Sequence, residues 1–139
     1  MNKNFAWPIT ETYSGNIAAL QNCLDVHGYT FLKRGIALFG SGIHGCEFLK
    51  LLEQRNYPVR LFIDNNKDKQ GGCINQYPIL SFDQYLALPE RPVILIAVES
   101  FAAIRTQLLA AGLLENIEFF CVEEGLLCRK ENTNAYEGL

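Results

Sequence analysis

Ile36-Ala37-Leu38-Phe39-Gly40-Ser41-Gly42-Ile43-His44-Gly45 decides the reading of this chain. Four apolar residues of strand type run into a turn with glycines spaced G-x-G-x-x-G, and a helical pattern starts directly behind it. The next apolar run, Val59-Arg60-Leu61-Phe62-Ile63, ends in Asp64, 19 residues beyond Gly45. Strand, glycine turn, helix, strand and acid in this order form a β-α-β unit of nucleotide-binding type. In such a unit Gly40 permits the tight turn. Gly42, without a Cβ, lets a phosphate approach the backbone, and Gly45 lets the helix pack against the strand. The N–H groups of Ile43, His44 and Gly45 open the helix at the positive end of its dipole, which suits an anion. The same glycines also suit a compact turn that binds nothing.

Outward from this unit the alternation continues. Residues 43–55 read as a helix that ends before Pro58, because the residue preceding proline avoids helical angles. Residues 64–72 are polar and end in Gly71-Gly72, a loop. Tyr77–Leu80 is a brief third strand, and Ser81-Phe-Asp-Gln84 is a capping box that opens a helix through Leu88. Val93–Val98 is a wholly apolar strand of the kind buried in a parallel sheet. A helix from Phe101 ends at Gly112, and Ile117–Val122 is the last strand. In the N-terminal part, Ile17, Leu20 and Leu24 recur at helical spacing, with Gly28 as the expected stop. The chain therefore divides into an N-terminal helical segment, 1–35, an α/β domain, 36–124, and a polar tail, 125–139. Right-handed crossovers turn such an alternation into a Rossmann-like, doubly wound, mostly parallel sheet of about five strands with helices on both faces. The winding direction reverses before Val93, so a crevice forms between the first strand and the Val93 strand. Gly40–Gly45 lines one lip and Val98, Glu99 and Ser100 line the other.

The totals narrow the function. At 139 residues, 49% hydrophobic and 19% charged, the chain is long enough for one domain with a real core. Net charge is −3, and Lys33-Arg34 is a pair rather than a stripe, so no nucleic-acid partner is expected. No apolar run approaches the roughly 20 residues that cross a bilayer. The N-terminus has no apolar core of a secretory signal. Five cysteines (Cys23, Cys46, Cys73, Cys121 and Cys128) with no C-x-x-C point to reduced thiols and a cytoplasmic protein, with Cys46 and Cys121 in patterns that look buried. No His, Cys and carboxylate grouping has metal spacing, so no metal site is expected.

Among individual residues, Asp64 stands where a carboxylate can accept hydrogen bonds from ribose hydroxyls, and its charge would repel a 2′-phosphate. An Asp64-Asn65 pair also suits a plain turn. His44 could donate to a phosphate or simply face solvent in the first turn. Residues two apart on a helix do not face each other, so His44 and Cys46 are not a catalytic pair. Ser100 could reach a ligand or cap its helix. No Ser-His-Asp order, P-loop lysine or paired carboxylates appear. No second domain that could hold a substrate against a cofactor is evident, so no complete catalytic domain is expected.

Gly40-Ser-Gly-Ile-His-Gly45, Phe62-Ile-Asp-Asn-Asn66 and Gly72-Cys-Ile-Asn-Gln-Tyr-Pro78-Ile-Leu80 together resemble the small Rossmann-like nucleotide-sugar-binding domains of bacterial surface-polysaccharide pathways. These include the N-terminal domains of sugar acyltransferases and modules attached to glycosyltransferases and sugar methyltransferases. Ile43 and Gln76 stand where that pattern often has glycine, and no left-handed β-helix follows. The resemblance implies that Gly40, Ser41, Gly42, His44 and Asp64 contact a nucleoside-diphosphate sugar, beside a partner transferase and without turnover by this chain. Two alternatives fit the residues. One is an NAD(H)-binding redox sensor or oxidoreductase subunit. The other is an interaction scaffold with a vestigial site, forming a homo-oligomer through the Ile17, Leu20 and Leu24 face.

Overall fold

The computed structural model describes residues 7–99 and 101–122, with side chains from residue 17 onward. In chain order it contains α1 (Trp7–Arg34), β1 (Ile36–Phe39), α2 (Ile43–Gln54), β2 (Val59–Ile63), β3 (Cys73–Ile74), β4 (Tyr77–Leu80), α3 (Phe82–Leu86), β5 (Val93–Ile96), α4 (Phe101–Ala110) and β6 (Phe119–Cys121). Two compact units arise: Met1–Val26 with Val122–Leu139, and His27–Cys121. The whole sheet belongs to the second.

The sheet has six strands in the order β3-β4-β2-β1-β5-β6. All neighbours pair in parallel except β3, which forms a two-residue antiparallel hairpin with β4 at one edge. Strand order 4-2-1-5-6 around β1 is the doubly wound arrangement. β1 lies between β2 and β5, with Phe39 beside Ile63 on one side and Ile96 on the other. The winding reversal therefore falls between β1 and β5, and this fixes where a ligand crevice opens.

β1 and β5 are buried at every position, as strands covered on both faces must be. Phe31, Phe39, Phe62, Phe119 and Phe120 fill the core, with Phe31 packed edge-on against Phe120 at 4.9 Å. Tyr85 is 1% exposed, and its hydroxyl donates to the Pro92 carbonyl at 2.5 Å. Burial is the main reason its phenol is pushed up to about 12, so it remains a donor.

Two differences from the sequence expectation have clear causes. α1 does not stop at Gly28 but runs on to Arg34. A Cβ at Gly28 would lie 2.7 Å from the Tyr57 hydroxyl, so this glycine makes room for a neighbour rather than ending the helix. The stop is Gly35, at φ 82°, whose N–H bonds the Phe31 carbonyl. The sixth strand, β3, escaped notice because two residues carry no readable period; Asn75 at φ 54° makes its turn. The strand at Val93 ends at Ile96, and Ala97 and Val98 already belong to the turn. The capping box at Ser81 is present in full: Ser81 Oγ accepts from Gln84 N–H, and the Gln84 side chain accepts from Ser81 N–H.

Candidate functional site

The glycine turn sits at the carboxyl end of β1, and each glycine has a separate steric reason. Gly40 is at φ 121°, and a Cβ there would meet Val98 Cγ1 at 2.5 Å and the Ala97 carbonyl at 2.7 Å. The turn leaving β1 is thus pressed against the turn leaving β5. A Cβ on Gly45 would stand 2.0 Å from the Gly40 carbonyl oxygen, so only glycine lets α2 start this close to β1. Gly42 is the opposite case: nothing lies within 4 Å of the position its Cβ would take. Its backbone is extended, at φ −92° and ψ −151°, which any residue could adopt. Neither strain nor packing demands glycine at 42. Open space beside a bare backbone is what an incoming phosphate requires.

α2 begins at this opening without a side-chain cap, since Gly42 occupies the N-cap position. The first-turn N–H groups of a helix have no intrahelical acceptor, and the helix dipole adds positive potential there. Ile43, in that first turn, is 66% exposed, an apolar side chain left at the rim of the turn.

Asp64 follows β2 and reaches across to the turn. Its Oδ2 accepts from the Ser41 N–H at 3.0 Å and from the Ser41 hydroxyl at 2.5 Å, and its Oδ1 accepts from the Asn66 N–H at 2.9 Å. Ser41 is a buried polar side chain, and this carboxylate satisfies it. Partial burial pushes the Asp64 carboxyl up. The Ser41 hydroxyl, the Asn66 and Ser41 N–H groups and Lys69 outweigh that effect and hold it below its usual value. An ionised acid therefore stands at the turn.

The structure sets Gly40 against Val98 and Ser41 against Asp64 at the carboxyl ends of β1, β5 and β2, with Gly42, Ile43 and Gly45 in the turn and first turn of α2 that follow. His44 lies half-buried in the first turn of α2, and Glu99 is exposed. Ser100, Cys128 and the 125–139 tail fall outside the described residues. Cys46 is half-buried rather than a core cysteine, whereas Cys121 and Cys23 are buried and Cys73 is exposed.

One participant had no signal in the sequence. Asn65 donates to Gln107 Oε1 at 2.8 Å, and Gln107 Nε2 donates back at 3.2 Å. This exposed pair of amides links the loop after β2 to α4, the helix that follows β5. Gln107 lies 42 residues from Asn65, and an isolated glutamine on a helix carries no motif. Among the described residues no group of three or more His, Cys, Asp or Glu could hold a metal, and no helix is long and apolar enough to cross a membrane.

No protein-family model matches the chain. No curated protein matches it either. Among solved structures it is similar to RSP, a Rex-family repressor, at 13% identity and a TM-score of 0.51, over 84% of this chain and 66% of that one. A structure of RSP in complex with β-NADH aligns at 13% identity and a TM-score of 0.49, over 84% and 67% of the two chains. The fold is Rossmann-like. At such low identity the likeness is one of fold, and the chain spans about two thirds of the repressor's length. Neither structure is a sugar acyltransferase or a glycosyltransferase, so the expected kinship with surface-polysaccharide enzymes has no support here.

Proposed function

We propose that this chain is an NAD(H)-binding domain of a redox-sensing protein or an oxidoreductase subunit. The observation that carries the reading is the division of labour among the three glycines. Two are forced by packing, and the middle one, Gly42, is left beside open space at an uncapped helix N-terminus. That combination suits a pyrophosphate. Asp64 supports the dinucleotide form of the reading, since an ionised carboxylate at the end of β2 suits an unphosphorylated ribose. The fold shared with a Rex-family repressor supports the sensing form.

In this reading the backbone of residues 42–45 binds the pyrophosphate and Asp64 orients the adenosine ribose. Asp64 Oδ1, which accepts from the Asn66 N–H, has a second lone pair for a ribose hydroxyl, so the Ser41 bonds to Oδ2 stay in place. The nicotinamide supplies a two-electron hydride couple, and the chain's own part is binding and orientation.

Titration calorimetry with NADH, NADPH and UDP-sugars on the wild type and on Gly42→Val tests the reading. NADH binding is expected, weaker NADPH binding because of Asp64, and loss of NADH binding in Gly42→Val with the melting temperature kept. At a hundredfold excess over the dissociation constant, NADH raises stability by about 2.7 kcal/mol, a melting-temperature rise of roughly 5–10 °C. Binding of a UDP-sugar in place of NADH, or NADH affinity unchanged by Gly42→Val, overturns it.

A further inference from the structure

The opposite edge of the same sheet carries a second feature. Lys33 and Arg34 end α1, Arg60 lies near the start of β2, and Arg91 precedes β5. All four therefore gather at the amino ends of the strands, around a groove of about 470 Å³ closed by Pro89 and Glu90. Residues 7–122 contain nine Lys and Arg, and four of them meet here in a chain whose net charge is −3. Glu90 lines the groove with them, and Glu118 stands 3.8 Å from Arg91.

Part of this charge has structural work. Lys33 and Arg34 suit the negative end of the α1 dipole. Arg34 Nη2 donates to the Arg91 carbonyl at 3.0 Å, and Arg91 lies 5.9 Å over the Tyr85 ring. Arg60 has no such work. Its arm lies against Gly35, where a Cβ would meet Arg60 Cγ at 2.9 Å, yet no carboxylate bonds its guanidinium among the described residues. Like charges that outnumber their counter-charges repel at a cost in free energy, and an anion seated between them lowers that cost. Guanidinium groups offer planar forks of donors that match phosphate oxygens.

We propose that the groove between Lys33, Arg34, Arg60 and Arg91 binds a small polyphosphate-bearing anion, at a site separate from the glycine turn. An adjoining pocket of about 410 Å³, lined by Leu61, Leu88 and Pro92 beside Arg60, gives room for an organic portion of that molecule. The proposal does not depend on the NAD(H) reading.

The test is calorimetry of inorganic triphosphate on the full chain, at low salt, with wild type, Arg60→Gln and Gly42→Val. Arg60→Gln keeps the Cγ and Cδ that lie on Gly35 and removes the charge. The expected result is binding to wild type, binding that persists in Gly42→Val, where the glycine turn is blocked, and affinity lower by about tenfold or more in Arg60→Gln. No binding to wild type overturns the proposal. So does equal affinity in Arg60→Gln, or loss confined to Gly42→Val, which would place the anion at the glycine turn. Binding of a short DNA duplex that depends on Arg60, with no response to triphosphate, also overturns it and assigns the groove to nucleic acid. Melting curves of both variants show that each is folded.

Discussion

On the two proposals made above, the two ends of this sheet would attract anions by different means. At the carboxyl ends of the strands the attraction comes from backbone: the glycines at 40, 42 and 45 and an uncapped helix start, with no lysine or arginine in the turn. At the amino ends it comes from side chains, Lys33, Arg34, Arg60 and Arg91. A backbone site needs glycine at fixed offsets within a few residues, so it is local in sequence. A side-chain site needs only that the fold bring long arms together, so its members can lie anywhere. The first kind also tolerates little change in its own residues, and the second should tolerate a great deal.

The largest expected effect tests that contrast inside the turn itself. Gly45→Ala sets a methyl group 2.0 Å from the Gly40 carbonyl oxygen, a backbone atom that cannot swing aside. The expected cost in urea denaturation is about 3 kcal/mol. Gly42→Ala meets nothing within 4 Å and adopts φ −92° without strain, so it should leave stability within about 1 kcal/mol of wild type. Equal costs at both positions would mean that the turn has no open side.

The same distinction explains what could be read before the structure. β1, β2, β4 and the capping box at Ser81 were legible because each rests on a short-range pattern that few alternatives share. The switch between β1 and β5 followed from winding rules applied to those elements. Gly28 misled because a glycine that ends a helix and one that admits a neighbour look alike in sequence; only Tyr57, 29 positions on, tells them apart. The Asn65–Gln107 pair and the meeting of Lys33-Arg34 with Arg60 and Arg91 were invisible for the same reason, being assembled by the fold across long separations. The Ser41–Asp64 bond falls between these cases. Both residues stood out individually, yet nothing local says that they touch.

Tyr85 anchors the amino-end edge from within. Tyr85→Phe removes the hydroxyl that donates to the Pro92 carbonyl and leaves that carbonyl unsatisfied in a buried place. A loss of about 1–2 kcal/mol in denaturant unfolding is expected. A change near zero would show that water reaches Pro92 and that this edge is less firmly packed than the other.

Asp64 permits a test by pH at the carboxyl-end edge. Its native carboxyl lies below the usual value, so it stabilises the fold fully above the unfolded pKa of about 3.9. That stabilisation is lost as pH falls through the lower native value. The gap in unfolding free energy between wild type and Asp64→Asn should therefore be widest near neutral pH and shrink in acid. A gap that stays constant from pH 7 to pH 3 would show that the Ser41 and Asn66 bonds do not depend on the charge.

The smallest expected effect separates the two edges most cleanly. Arg60→Gln removes a cation that bonds no carboxylate among the described residues and keeps the arm segment lying on Gly35. If the amino-end edge holds repelling charges, the variant should melt about a degree higher than wild type at low salt. The difference should vanish at about 1 M salt, where the screening length falls to about 3 Å. Substitution at Gly42 changes no charge and should show no such salt dependence. A lower melting temperature for Arg60→Gln at low salt would mean that Arg60 is held by attraction to Glu90 or Glu118. The groove would then be balanced within the fold, and its cations would not be waiting for an anion.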